Sequence, residues 1–193
     1  MYYNLLLNKL PQYTPNKLKI RTDFRESIKF ELLMQDNELD ENEKIKLALN
    51  LYYYNLNDIT DVKKAVDDII WFYKGGKIEK ENVDKEVKKG NSKEKQIYSY
   101  EFDAEYIYSA FMEQYHIDLN STKYLHWWKF KALFNSLNED VLFCKIMGYR
   151  AINLNKIKDK EMKKHYKKLK EFYKLPDMRS EEEKENDFAE AFS

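Results

Sequence analysis

The sequence predicts a mainly α fold: a helical bundle of about six to seven helices with a small N-terminal β-hairpin or strand. Three observations predict it. The 193 residues include only four glycines and three prolines, too little punctuation for a many-turned β fold. Apolar residues recur at three- and four-residue spacing in several windows, the period of one helix face. Side chains suited to capping stand just ahead of those windows, where the first free amides of a helix need acceptors.

Residues 1–21 lack helical periodicity. Pro11 and Pro15 bracket a turn, and Lys17-Leu18-Lys19-Ile20-Arg21 alternates polar and apolar at period two, which reads as a short strand or hairpin needing a helix to pack on. Thr22 then caps a first helix with the stripe Phe24, Ile28 and Leu32, ending near Gln35. Asp40 with Glu43 three residues on forms a capping box for a second helix striped by Ile45, Ala48, Leu49 and Tyr52. Thr60 opens a third. Its Val62, Ala65, Val66, Ile69, Ile70 and Tyr73 make the cleanest amphipathic pattern in the chain, and Gly75-Gly76 ends it.

Asp103 caps the next helix, whose face carries Ile107, Ala110 and Phe111 up to about His116. Ser121 or Thr122 caps another, with Trp127, Phe130, Phe134 and Leu137 on its apolar side. A shorter helix begins at Asn138 or Glu139, includes Val141, Leu142 and Ile146, and stops near Gly148. A last helix spans roughly Asn155 to Tyr173, striped by Met162, Tyr166, Leu169 and Tyr173, with Pro176 beyond it.

This reading divides the chain into an N-terminal hairpin and helices (1–74), a charged linker or loop (75–96), a C-terminal helical part (97–176) and an acidic tail (177–193). The first and third parts are able to share one core. The linker is rich in charge, poor in apolar residues and holds Gly75, Gly76 and Gly90. It cannot bury enough surface to offset the entropy of ordering. The tail, with seven acids against two bases, is expected to be disordered on the same ground.

Composition narrows function. One cysteine excludes an intrachain disulfide and a cysteine-based zinc cluster. No apolar run approaches the ~20 residues of a membrane-spanning helix, and Leu5-Leu6-Leu7, flanked by Asn4, Asn8 and Lys9, is too short for a signal-peptide core. A cytoplasmic location with no membrane partner is therefore expected. Basic and acidic residues balance at 34 each, against the basic surplus of a nucleic-acid binder. The block Lys156–Lys174 does hold nine lysines against three acids, and with Tyr166, Phe172 and Tyr173 it has the ingredients of a strand-binding groove. The balanced charge favours a solvated lysine face instead.

No catalytic pattern emerges. The chain lacks a glycine-rich phosphate loop, a G-x-S-x-G elbow and an H-E-x-x-H pair. His126 is followed by Lys129 and Phe130, and His165 by Lys168 and Leu169, so neither has a second ligand at the helical spacing a metal requires. Cys144 has Asp140 four residues before it, a neighbour that raises a thiol pKa. Glu181-Glu182-Glu183 lies in the tail, which cannot hold groups in fixed catalytic geometry. No catalytic residue, cofactor or metal is expected. Trp127 and Trp128 point about 100° apart on a helix. Either a wide face is buried or one ring is left for a partner.

The order of several blocks resembles the bacteriophage "gene product fifteen" family, found among the tail genes of phages and prophages of Gram-positive bacteria. The blocks are Thr22-Asp23-Phe24-Arg25; Trp71-Phe72-Tyr73 followed by Gly75 or Gly76; Tyr98 to Tyr108; Gln114 to Leu119, with His116 where glycine is expected; Leu125 to Phe134; Lys145 to Arg150; and Leu175 to Ser180. The likeness covers nearly the whole chain. It implies a tail assembly chaperone of long-tailed phages, acting in the host cytoplasm. Such a protein coats the tape measure protein, keeps it soluble and hands it to tail tube subunits, by binding without catalysis. The family brings no catalytic residues. A long helical client would be recognised through an apolar groove flanked by charge, for which the candidates are Trp71, Trp127, Trp128, Phe130 and Phe134. Coating a long client requires many copies, so self-association is expected. The alternative is a structural virion or nucleic-acid-associated tail protein using the lysine-rich last helix.

Overall fold

Side-chain caps mark where five of the helices begin; Asp103 precedes the helix at Ala104 but makes no cap bond. A computed structural model describes residues 3–77 and 96–177, and among them are seven α-helices and no strand. They are α1 (Phe24–Gln35), α2 (Glu41–Tyr52), α3 (Val62–Tyr73), α4 (Ala104–Tyr115), α5 (Trp127–Asn135), α6 (Leu142–Ala151) and α7 (Lys160–Phe172). Asp23, Asp40, Asp61 and Asp159 cap α1, α2, α3 and α7 through their carboxylates. The Asp40–Glu43 capping box forms as its spacing predicts. At α1 and α3 the cap is the aspartate one residue after the expected threonine, a charged acceptor favoured at the positive end of a helix. The hydroxyl of Thr22 instead meets that of Tyr124 at 2.7 Å.

The C-terminal boundaries differ more. α5 starts four to five residues later than a cap at Thr122 or Ser121 suggests, and α6 starts at Leu142 rather than near Asn138. α6 also runs through Gly148 to Ala151. A short 3₁₀ turn (Leu154–Lys156) precedes α7, which begins at Lys160 rather than Asn155.

The expected N-terminal hairpin is not present. Tyr13 and Lys19 form one isolated antiparallel bridge around a turn, and Ile20 pairs with Tyr53 instead. The reason lies in where the backbone hydrogen bonds go. Pro11 and Pro15 have no N–H to give. The Arg21 amide donates to the Tyr52 carbonyl at 2.7 Å, and the Asn16 side chain donates to the buried Asp68 carboxylate of α3 at 3.0 Å. The segment keeps two cross-strand bonds of its own, Thr14 N–H to Leu18 O at 2.9 Å and Ile20 N–H to Gln12 O at 3.1 Å, too few for strands, and beyond them it is a strap bonded to helices.

α1 packs on α2, α2 on α3, α4 on α6 and α6 on α7, while α5 crosses back onto α1. One apolar cluster joins Phe24, Tyr52, Ile69 and Phe72 of the first part to Ile107, Phe111, Phe130 and Phe143 of the second. The two helical parts therefore share a core. The expected linker lies outside the described residues except at its ends, and the tail lies outside them beyond Asp177.

Candidate functional site

The last carbonyls of a helix have no partner within it, and the end of α3 is where the aromatic residues of α5 converge. The Gly75 amide donates to Phe72 O at 3.0 Å and that of Gly76 to Trp71 O at 2.9 Å. Both glycines have positive φ, 79° and 73°, a conformation in which a side chain is strained. From α5, the Trp128 indole N–H donates to Phe72 O at 2.7 Å and the Trp127 indole N–H to Tyr73 O at 2.9 Å. The Lys131 ammonium adds a bond to Tyr73 O at 3.0 Å. Adjacent tryptophans at the start of one helix thus close the C-terminus of another. The fit leaves no slack: a Cβ on Gly76 would stand 2.5 Å from the Trp128 ring.

His126 holds α5 in this position. Its Nδ1 accepts from the Trp128 amide at 3.1 Å, capping the helix. That nitrogen is therefore unprotonated, so Nε2–H donates to the Pro11 carbonyl 3.0 Å away. Burial lowers the pKa of this imidazole, against the opposing effect of the Pro11 bond and with a smaller contribution from Lys129. The ring is a neutral cap joining the N-terminal strap to α5, and neither nitrogen is left for a metal.

The other blocks of the sequence meet in the same way. The Phe24 amide donates to Leu125 O at 2.8 Å and the Trp127 amide to Thr22 O at 2.8 Å. Asp23 accepts from the Leu125 amide at 3.1 Å, and Arg25 donates to the carbonyls of Leu119 and Thr122 at 2.8 and 2.7 Å. Across the second part, Asp103 and Arg150 form a two-bonded ion pair at 2.6 and 2.9 Å, with both side chains buried. Arg150 also donates to the carbonyls of Ile97 and Tyr173, tying α4, α6 and the end of α7 together.

A half-buried polar group sits beside the indoles. The Tyr73 hydroxyl donates to Glu31. Burial raises the Glu31 pKa despite the Tyr73 bond and Lys131, and burial lowers that of Lys131. Burial likewise raises the Cys144 thiol, which makes it a poorer nucleophile. Among the described residues no group of three or more His, Cys, Asp or Glu could hold a metal ion, and no helix is long and apolar enough to cross a membrane.

The structure brings the five candidate contact residues together, but as packing. Trp127, Trp128, Phe130 and Phe134 are buried, with Phe130 fully so, and Trp71 is half-buried edge-on to Trp128. Phe130 stacks on Phe24, Phe111 and Trp127 at ring separations of 4.8, 5.0 and 5.6 Å. The question of which tryptophan faces outward resolves as neither, because a wide face of α5 is enclosed. The apolar surface of these residues is largely enclosed within the fold.

Sequence reading missed three things here: the His126 cap, the indole caps and the Asp103–Arg150 pair. The pair left a usable signal. Arg150 continues the stripe Phe143–Ile146 at helical spacing, a charge on an apolar face that requires a buried partner. Asp68 does the same on the stripe Ala65–Ile69–Phe72.

A family model described as Bacteriophage Gp15 protein matches residues 6–175. No curated protein and no solved structure matches the chain.

Proposed function

The chain belongs to the Bacteriophage Gp15 protein family, and on that premise we propose that it is a tail assembly chaperone that binds the tape measure protein without catalysis. The observation that carries this reading is the family match over nearly the whole chain. The chemistry of the described residues is consistent with it: polar side chains in the interior, the Tyr3 hydroxyl apart, are engaged in capping and joining helices, and no nucleophile–base pair stands out among them. Contact with a client then falls to apolar side chains that remain exposed. Leu6 and Leu7 in the turn after Asn4, and Met162 and Phe172 on α7, are such side chains.

The test is co-expression with the tape measure protein encoded in the same gene cluster. The expected result is a soluble tape measure that co-purifies with several copies of this chain, which light scattering counts. Unchanged solubility and no complex would sink the proposal. A second reading, a structural tail component, is favoured by the exposed lysines of α7. Mass spectrometry of purified particles separates the two, since a chaperone is absent from the mature tail and a structural part is present.

A further inference from the structure

α7 is built unlike the other helices. It has the sharpest apolar–polar division of the seven, yet none of its residues is buried. Residues 160–165 are all exposed. Among the described residues, its ring contacts and side-chain hydrogen bonds to the body run through Tyr166 and later positions: Tyr166 and Tyr173 against Tyr149, and Lys170 to the Ile152 carbonyl. A helix this short draws most of its stability from packing of its apolar face, and here the first half of that face is bare.

Most of the lysines on α7 do not serve the helix itself, although Lys170 in its last turn does, as does Glu161 in its first. Lys160–Lys164, Lys163–Lys167 and Lys164–Lys168 are like-charge pairs at i,i+4, an arrangement that weakens a helix. Lys160 and Lys163 also sit in the first turn, against the helix dipole. No α7 lysine forms an ion pair among the described residues. Beside them Met162, His165, Leu169 and Phe172 follow i, i+3, i+7, i+10, a stripe roughly 15 Å long. Met162 is 53% and Phe172 78% exposed. Glu161 and Lys168 border its free edge, with Lys164 one step further round the helix.

We infer that this face of α7 is a docking surface for an acidic amphipathic helix of a partner protein. The stripe supplies the apolar seam and the unpaired lysines supply the complementary charge. The seam repeats at helix–helix spacing and includes aliphatic Met162 and Leu169. That suits interdigitating side chains, whereas a nucleic-acid strand asks for successive stacking rings.

The test uses the full chain and a synthetic helical peptide with leucines at i, i+3, i+7 and glutamates elsewhere, followed by fluorescence anisotropy. Saturable binding is expected. Changing Met162 and Phe172 together to serine weakens it by about tenfold, as truncation of interface anchors does. K164E/K168E weakens it and flattens its dependence on salt. Both pairs are exposed, and circular dichroism verifies that the variants fold. Equal binding of a sequence-scrambled peptide, tighter binding of a single-stranded DNA oligonucleotide, or no saturable binding would each overturn the inference. No tape measure protein enters this experiment, so its failure and that of the chaperone reading are separate events.

Discussion

α5 and α7 are both aromatic, lysine-bearing helices in the same half of the chain, and they put those residues to opposite use. Nine residues of α5 include four buried aromatics, and its indole N–H groups and Lys131 are directed at the end of α3. Thirteen residues of α7 include none that is buried. The densest aromatic block in the sequence is thus a joint, and exposed apolar side chains such as Met162 and Phe172 lie where the composition is more ordinary. Aromatic rings contribute most to stability where they are enclosed on all sides, so an aromatic block marks a core as readily as an interface.

The largest expected effects fall in the joint. Phe130→Ala removes a fully buried ring stacked on four others and should cost about 3–5 kcal/mol in urea unfolding. A cost near zero would show that α5 is loosely held and erase the contrast with α7. Arg150→Met strips the charge partner from Asp103, whose side chain is 0% exposed, and orphans two carbonyls. Leaving one charge of a buried pair alone costs about 3–5 kcal/mol, measurable in the same unfolding experiment.

Gly75 and Gly76 sharpen the comparison at one point of contact. Both have positive φ, so alanine at either place costs about 1–2 kcal/mol in backbone strain. Only Gly76 touches Trp128; around Gly75 there is open space. Gly76→Ala should therefore exceed Gly75→Ala by about 1–3 kcal/mol of overpacking. Equal costs would mean that the indole yields.

How much of this was legible follows from the range of the forces involved. The caps and stripes of α1, α2 and α3 depend on residues a few positions apart, and the Asp40–Glu43 box and the Gly75-Gly76 stop were readable to the residue. The start of α5 was not. His126 is an uncommon cap, and its orientation is fixed by Pro11, 115 positions away. The hairpin failed for a related reason: alternation at Lys17–Arg21 is real and the Ile20 amide does pair with Gln12 O, but the next amide, that of Arg21, is claimed by the end of α2. Composition showed that the tryptophans were too many for a narrow stripe. It could not show that the end of α3 needed two donors, because that need exists only once the helices meet.

A smaller effect tests whether His126 caps as a neutral ring. Its folded pKa lies below its unfolded value of ~6.5 because of burial. The cap's contribution is thus fully present above that pH and is lost as pH falls toward the folded value, where the unfolded chain binds the extra proton. The slope approaches about 1.4 kcal/mol per pH unit at most. Glu31 acts with the opposite sign, since its raised folded pKa favours the native state as pH falls. The quantity to measure is therefore the difference between the wild-type chain and His126→Asn, which keeps a capping acceptor but does not titrate. A difference that stays flat from pH 8 down through ~6 would remove His126 from the account.

The smallest effect is the most informative about α7. Phe172 is as large as Phe130, and a scale based on residue type alone would assign them similar weight. Its ring is 78% exposed and contacts only its neighbour Tyr173 among the described aromatics. Removing it forfeits little transfer free energy and leaves no cavity, so Phe172→Ala should change stability by no more than about 0.5 kcal/mol. A loss of about 2 kcal/mol or more would mean that α7 is seated on the body through this ring and that its outer face is not available to a partner. With a neutral result, an exposed ring at this place has no explanation in folding, and the weight shifts to what α7 binds.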